Sequence, residues 1–179
     1  ISGCRTDGST VNNQAAILLR GCTRSVIEGN HIQVTNSDAT SRGAITVDVA
    51  SGVLGTTEVA VVNNNLQVTS SPTTGQVGIL FDPLNAAQTI VNCKAEGNRV
   101  DSFAFGIRVG QGTTDQLVIA NNQIRSTTVA NQGEIGIQTV SGAIVTESVV
   151  AGNSIDGITK TPVAPNTYNA GIDLGAATG

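Results

Sequence analysis

Hydrophobic and polar residues follow a repeating motif along most of this chain. In this first motif a hydrophobic residue is followed by two residues of any type, an asparagine, one further residue and an aliphatic residue. The copies span residues 27–32, 61–66, 95–100, 119–124 and 150–155. The asparagine therefore recurs as Asn30, Asn64, Asn98, Asn122 and Asn153. Regular recurrence of this kind is typical of proteins built from stacked supersecondary units.

A second motif alternates with the first and has the period of a β-strand. It consists of a small residue, an isoleucine, any residue and, in most copies, an apolar residue, with the isoleucines at 17, 45, 79, 107, 137 and 172. Alternate residues of a strand point to the same face, so the isoleucine and the apolar residue share one side. This motif predicts a short strand with one buried face.

The residue before each recurring asparagine is also restricted. It is Gly29, Asn63, Gly97, Asn121 or Gly152. Glycine and asparagine tolerate a positive φ better than other residues, so we expect a left-handed corner at this point of every unit. The asparagine that follows can turn its amide inward, and amides stacked in successive units can form a hydrogen-bonded ladder.

Each unit of roughly 24 to 35 residues is too short to bury its own apolar face and must stack on its neighbours. Strands that recur in the same order and direction pair in parallel, and parallel crossovers are strongly biased to the right hand. We therefore predict an all-β fold, a right-handed single-stranded parallel β-helix of about five to six coils. A leucine-rich repeat lacks its leucine consensus here, a β-propeller needs antiparallel blades, and a jelly roll would not repeat so regularly.

The composition agrees with such a solenoid. The chain has 179 residues, of which 39% are hydrophobic, 12% charged and 2% aromatic, with 21 glycines and no methionine or tryptophan. The formal net charge of −4 argues against nucleic acid and anionic membranes as partners, because both select for clustered lysine and arginine. We expect residues 1–179 to form one β-helix domain. Since the chain begins at Ile1, we expect it to be a fragment of a longer one.

The three cysteines do not indicate a metal site or a disulfide framework. Cys4, Cys22 and Cys93 are odd in number and widely spaced, which favours buried free thiols. The sequence also contains no glycine-rich loop that would hold a phosphate group. We therefore expect no cofactor and no bound metal.

The first candidate for catalysis lies three residues after the second-motif isoleucines. Asp48 and Asp82 occupy this position in neighbouring coils, where alternation predicts that they face solvent about 5 Å apart. Two carboxylates at that separation resemble the pair of a retaining glycosidase, although both residues also suit a turn or a strand end. Arg20 holds the same position one coil earlier and could bind a sugar carboxylate.

Two further groups of polar residues could contact a substrate. Glu28 and Glu96 lie two coils apart, about 10 Å, which is close to the spacing of an inverting glycosidase, but Val62 separates them. One residue after the isoleucines, Arg108, Gln138 and Asp173 form a polar strip that could bind sugar hydroxyl groups. Isolated surface charges and a solvated face are the simpler interpretations of these two groups.

The Gly-Ile and Asn-x-Ile motifs, over roughly residues 15–174, resemble the parallel β-helix repeats of the pectin-lyase-like superfamily. Within it the sequence is most similar to the receptor-binding tailspikes of tailed bacteriophages. The resemblance implies a homotrimer in the phage virion that binds, and in many tailspikes cleaves, bacterial O-antigen or capsular polysaccharide. No family-wide motif fixes the catalytic carboxylates, so none is transferred by position.

Two alternative functions remain open from the sequence. The first is a structural or adhesive β-helix shaft that binds without cleaving. The second is a secreted polysaccharide lyase, or an ice-binding solenoid. The scattered aspartates do not match the calcium clusters of pectate lyases, and the outward positions are too mixed for the flat threonine ladders of ice-binding proteins.

Overall fold

The described part of the chain consists of β-strands joined by turns, with no helix. The computed structural model describes residues 1–3, 5–8, 15–34, 43–49, 55–69, 76–83, 87–125, 135–157 and 170–174. Its strands are β1 (Arg5–Gly8), β2 (Ile17–Arg20), β3 (Thr23–Glu28), β4 (His31–Val34), β5 (Gly43–Asp48), β6 (Gly55–Val62), β7 (Asn65–Val68), β8 (Val77–Asp82), β9 (Thr89–Val91), β10 (Lys94–Glu96), β11 (Arg99–Asp101), β12 (Phe105–Val109), β13 (Gly112–Asp115), β14 (Val118–Ala120), β15 (Gln123–Arg125), β16 (Ile135–Thr139), β17 (Ala143–Thr146), β18 (Val149–Ala151), β19 (Ser154–Asp156) and β20 (Ala170–Asp173).

The strands stack into three parallel sheets that the chain visits in turn. Sheet A has the order β17-β13-β9-β6-β10-β14-β18, with β3 also paired to β6; sheet B has the order β1-β4-β7-β11-β15-β19; and sheet C has the order β2-β5-β8-β12-β16-β20. The first motif crosses from sheet A to sheet B, and the second motif forms sheet C. The predicted parallel β-solenoid is therefore confirmed.

The solenoid has about four turns, slightly fewer than the five to six coils predicted from the motifs. The difference arises at the ends. Among the described strands, β1 begins sheet B and β20 ends sheet C, and in the first half of sheet A the strands β6, β9, β13 and β17 stack on one another. The predicted number of coils was higher because it counted every second-motif isoleucine, including those in the incomplete coils at the two ends.

The second-motif isoleucines stack in register through the core. Ile45 pairs with Ile79, and Ile107 pairs with Ile137, and all four side chains are fully buried. Phe81, beside them, is also fully buried. Burial of an aliphatic or phenylalanine side chain contributes about 1.5–3 kcal/mol, so the repeated column provides much of the driving force for stacking.

The predicted asparagine ladder is present between sheets A and B. Asn30 Nδ2 donates to Asn64 Oδ1 at 2.9 Å, Asn64 Nδ2 donates to Asn98 Oδ1 at 3.0 Å, and the pattern continues through Asn122 to Asn153 at 2.9 Å for each step. Each Oδ1 also accepts from the backbone N–H of the preceding asparagine at 3.0 Å. The ladder thus satisfies buried polar groups that the corner would otherwise leave without partners.

Both described cysteines are free thiols. Cys93 is buried, as expected, and its burial raises the pKa of its thiol to about 11. Cys22 is only half-buried, so the expectation of burial was wrong for this residue. Cys4 lies outside the described residues.

Candidate functional site

The outer face of sheet C changes character along the solenoid. One outward position in each coil forms a column of six residues: Leu18, Thr46, Leu80, Arg108, Gln138 and Asp173. Thr46 and Leu80 are buried, whereas Arg108, Gln138 and Asp173 are half-buried and polar. These three residues, the polar strip, lie in adjacent coils as predicted.

Gln138 is held by its neighbour in the strip. Its Nε2 donates to Asp173 Oδ2 at 3.4 Å. Because a carboxylate oxygen accepts and does not donate, this contact determines which end of the amide carries the nitrogen. The carbonyl oxygen of Gln138 therefore points away from Asp173.

Arg108 lies over an aromatic ring and is influenced by the charge of an acidic side chain. Its guanidinium carbon lies 4.7 Å from the centre of the Phe105 ring, a cation–π contact. Burial lowers the pKa of Arg108, and the negative charge of Asp82 acts in the opposite direction. Neither partner was predicted from the sequence. The charge of Asp82 acts on Arg108 from the preceding coil, which the spacing of the motifs does not reveal.

Two polar atoms of the strip have no hydrogen-bond partner within the described part of the chain. They are Arg108 Nε, a donor, and Gln138 Oε1, an acceptor, and both atoms are buried. Arg108 pairs with Gln138 in register, so these atoms belong to neighbouring coils about 4.8 Å apart. A buried polar atom without a partner costs about 1–3 kcal/mol, so this pair marks a place where a ligand could supply hydrogen bonds.

The predicted pairing of Asp48 with Asp82 is correct in register but not in exposure. Asp48 pairs with Asp82, and Arg20 with Asp48. Asp48 is 0% exposed, although alternation predicted a solvent-facing side chain. Arg20 Nε donates to both its carboxylate oxygens, at 2.9 and 3.1 Å, and Arg20 Nη2 donates to Oδ2 at 2.7 Å. The alternation of residues along a strand predicts the direction in which a side chain points. It does not predict whether other residues cover that side chain, and for this reason the predicted exposure of Asp48 was wrong.

The ion pair also changes the expected role of Arg20. Its hydrogen bonds to Asp48 raise the pKa of the guanidinium group. Two of its nitrogen atoms already donate hydrogen bonds to the Asp48 carboxylate, so the role of Arg20 within the structure is to pair with Asp48. Its role toward a sugar carboxylate stays a prediction.

Asp82 is half-buried beside a glycine of the next coil. The Gly110 N–H donates to the Phe81 carbonyl at 2.7 Å, and a side chain at Gly110 would collide with the Asp82 carboxylate. The absence of a side chain at Gly110 leaves room for this carboxylate near Arg108. The catalytic roles of Asp48 and Asp82 stay predictions.

Glu28 and Glu96 line one surface groove of about 480 Å³ at the corner between sheets A and B. Both pair with Val62 in register, which confirms that they lie two coils apart. Lys94 Nζ lies 3.0 Å from Glu96 Oε2, and this contact lowers the pKa of Glu96. The groove brings the two glutamates together, but one of them is already paired with a lysine.

No protein-family model, no curated protein and no solved structure matches this chain. Among the described residues, no three histidine, cysteine, aspartate or glutamate side chains lie close enough to hold a metal ion. A search of the same residues finds no helix that is long and apolar enough to cross a membrane.

Proposed function

We propose that this protein is a polysaccharide-binding β-solenoid, and that a glycan chain lies on the outer face of sheet C across the polar strip. The observation that carries the proposal is the pair of unpartnered atoms, Arg108 Nε and Gln138 Oε1, in adjacent coils. Glycans are rich in hydroxyl groups that both donate and accept hydrogen bonds. The β-solenoid fold is compatible with a polysaccharide-binding shaft.

We propose further that the polysaccharide is bacterial O-antigen or capsule and that the domain acts as part of a tailspike in a phage virion. The support for this finer assignment is the resemblance of the repeated motifs. A secreted, extracellular protein is the alternative location. Pectate-lyase chemistry has less support, because the described aspartates do not cluster with other metal ligands.

Binding without cleavage is the form of the proposal that the geometry favours. Asp48 is fully buried and its carboxylate binds Arg20 through three hydrogen-bond contacts. A glycosidase carboxylate must reach the glycosidic bond or an attacking water. We therefore propose a receptor-binding role for this part of the chain, with a purely structural shaft as the alternative.

The proposed homotrimer has support on sheet A. One outward column of this sheet consists of Val26, Ala60, Lys94, Val118 and Val149. Val26 is 47% exposed and Val149 49% exposed, and exposed apolar faces are typical of surfaces that bind other proteins. We propose that this face packs against other copies of the chain.

The test is binding to purified bacterial O-antigens and capsular polysaccharides on an array, followed by titration calorimetry of each glycan that binds. We expect Gln138→Ala to weaken binding about tenfold, the loss of one well-formed hydrogen bond. Gln123→Ala is the matched control, because Gln123 is an exposed glutamine on the outer face of sheet B. Mass analysis of the glycan after incubation separates binding from cleavage.

Three outcomes would contradict the proposal. If the wild-type protein binds no glycan, a structural shaft is favoured. If Gln138→Ala and Gln123→Ala bind equally well, the glycan lies elsewhere. If the glycan is shortened, and Asp48→Asn and Asp82→Asn abolish the shortening, the catalytic prediction holds instead of simple binding.

A further inference from the structure

The orientation of Gln138 determines which chemical groups the polar strip accepts. Gln138 Nε2 donates to the Asp173 carboxylate, so its free atom is the carbonyl oxygen, an acceptor. The free atom of Arg108 is Nε, which carries a hydrogen and can only donate. The strip thus places one buried unpartnered donor and one buried unpartnered acceptor on adjacent coils.

A hydroxyl group complements this pair, and a carboxylate does not. A hydroxyl oxygen can accept a hydrogen bond from Arg108 Nε while its hydrogen is donated to Gln138 Oε1. A carboxylate has only acceptor atoms, so it would satisfy Arg108 and place negative oxygen beside the Gln138 carbonyl. The two atoms are buried, but Arg108 and Gln138 are themselves half-exposed residues, so a ligand reaches these atoms once the side chains turn outward.

The surrounding charges favour the same type of ligand. Asp82 lies near Arg108 on one side, and Asp173 binds Gln138 on the other. Two carboxylates therefore lie along a strip that has one guanidinium group, and the whole chain has a formal charge of −4. A polyanionic glycan would meet repulsion along the strip and find no unopposed cation there.

We infer that the strip recognises an uncharged saccharide unit through a hydroxyl group that bridges Arg108 Nε and Gln138 Oε1. Uronic acids and other anionic sugars are disfavoured at this position. The inference rests on the proposed function, because it names the class of sugar that occupies the same site. It assigns Arg108 a role as a hydrogen-bond donor and not as a counter-ion.

The experiment uses each polysaccharide that binds on the array, in its natural form and after chemical reduction of any carboxyl groups to alcohols. We expect affinity to change less than about threefold after reduction and to be insensitive to sodium chloride between 50 and 500 mM. Binding driven by charge would weaken steeply with salt over that range.

Two variants separate a donor from a charge. Arg108→Gln supplies a neutral N–H donor, and we expect it to retain more affinity than Arg108→Ala, which we expect to lose about tenfold. Circular dichroism and the urea unfolding midpoint show whether each variant is folded. A variant that fails to fold is replaced by Gln138→Glu, which we expect to weaken neutral glycans by placing a carboxylate beside Asp173.

The outcomes distinguish the two proposals. If no polysaccharide binds, the proposed function fails, and this inference fails with it. If binding is lost on carboxyl reduction, falls steeply with salt, and is abolished equally by Arg108→Gln and Arg108→Ala, the protein binds glycans but the inference is overturned. Salt-insensitive binding that survives reduction and Arg108→Gln supports both.

Discussion

At the left-handed corner between sheets A and B, glycine and asparagine alternate from coil to coil. The residues are Gly29, Asn63, Gly97, Asn121 and Gly152, with φ between 55° and 66°. A methyl group added at Gly97 would lie 2.5 Å from Asn63 Oδ1, and one added at Gly152 would collide with Asn121. Each asparagine side chain occupies the space over the next coil, which requires a glycine there. The positive φ explains why glycine and asparagine occur at this corner. The contact between the asparagine side chain and the next coil explains why the two residue types alternate.

This contact predicts that Gly97→Ala is more destabilising than Gly29→Ala. Both glycines have nearly the same φ, 66° and 65°, but no atom lies within 4 Å of a methyl group added at Gly29. We expect Gly29→Ala to lower the free energy of unfolding by about 1 kcal/mol, the strain of a left-handed alanine. We expect roughly 2–3 kcal/mol for Gly97→Ala, since the methyl group must also displace Asn63. Urea unfolding at constant pH measures both.

The Asn63→Gly background provides the control for the contact. When the asparagine side chain is absent, the effect of Gly97→Ala should fall to that of Gly29→Ala. Equal effects of the two alanine substitutions in the wild-type background would contradict the prediction. In that case backbone strain alone would account for the glycines.

The polar strip shows how far single residues could be read from the sequence. The isoleucine spacing was sufficient to place Arg108, Gln138 and Asp173 in adjacent coils. It could not show that Asp48 is buried against Arg20, or that Asp82 lies near Arg108. Register follows from the period of the motif, whereas burial and diagonal contacts depend on packing around each strand.

At the scale of elements, sheets B and C were predictable and the first half of sheet A was not. The strands of sheets B and C coincide with the two motifs. The first half of sheet A aligns Thr57 with Val91, and Asp115 with both Val91 and Thr146, so this column keeps no single residue type, although Thr89 and Thr113 pair beside it. The strands in the first half of sheet A still pair in parallel through their backbones, although no motif recurs there. Their register is already set by the neighbouring segments of each coil.

The ladder predicts that an asparagine in its middle is far more important than one at its end. Asn98→Ala removes the acceptor of Asn64 N–H and Asn64 Nδ2, and the donor to the Val61 carbonyl at 2.9 Å. These groups are buried, so we expect the free energy of unfolding to fall by about 3 kcal/mol or more. Thermal and urea unfolding measure this loss.

Asn153→Ala is the matched comparison, since Asn153 makes the same type of contacts but is only half-buried. Water can replace part of what this side chain provides, so we expect a loss of roughly 1 kcal/mol. If Asn98→Ala and Asn153→Ala were equally stable, the prediction would be contradicted. The hydrogen bonds of the ladder would then add little to the stability that the packing of the surrounding residues provides.

At the scale of the whole molecule, the outer faces of sheets A and B have opposite character. All ten outward positions in β4, β7, β11, β15 and β19 of sheet B are polar: His31, Gln33, Asn65, Gln67, Arg99, Asp101, Gln123, Arg125, Ser154 and Asp156. The second half of sheet A has mostly valine and alanine in the corresponding positions, interrupted by Glu28, Lys94 and Glu96. One solenoid thus presents a hydrated face and an apolar face, and only the apolar face gains by leaving water.

This asymmetry predicts where copies of the chain meet in the proposed homotrimer. We expect the wild-type protein to elute as a trimer in size-exclusion chromatography with light scattering. The double variant Val118→Asp with Val149→Asp should be monomeric, because it buries two carboxylates in the interface. Gln123→Asp with Ser154→Asp adds the same charges in the same coils on sheet B, and we expect it to remain a trimer. A monomeric wild type would refute self-association, and a trimeric Val118→Asp with Val149→Asp variant would move the interface away from sheet A.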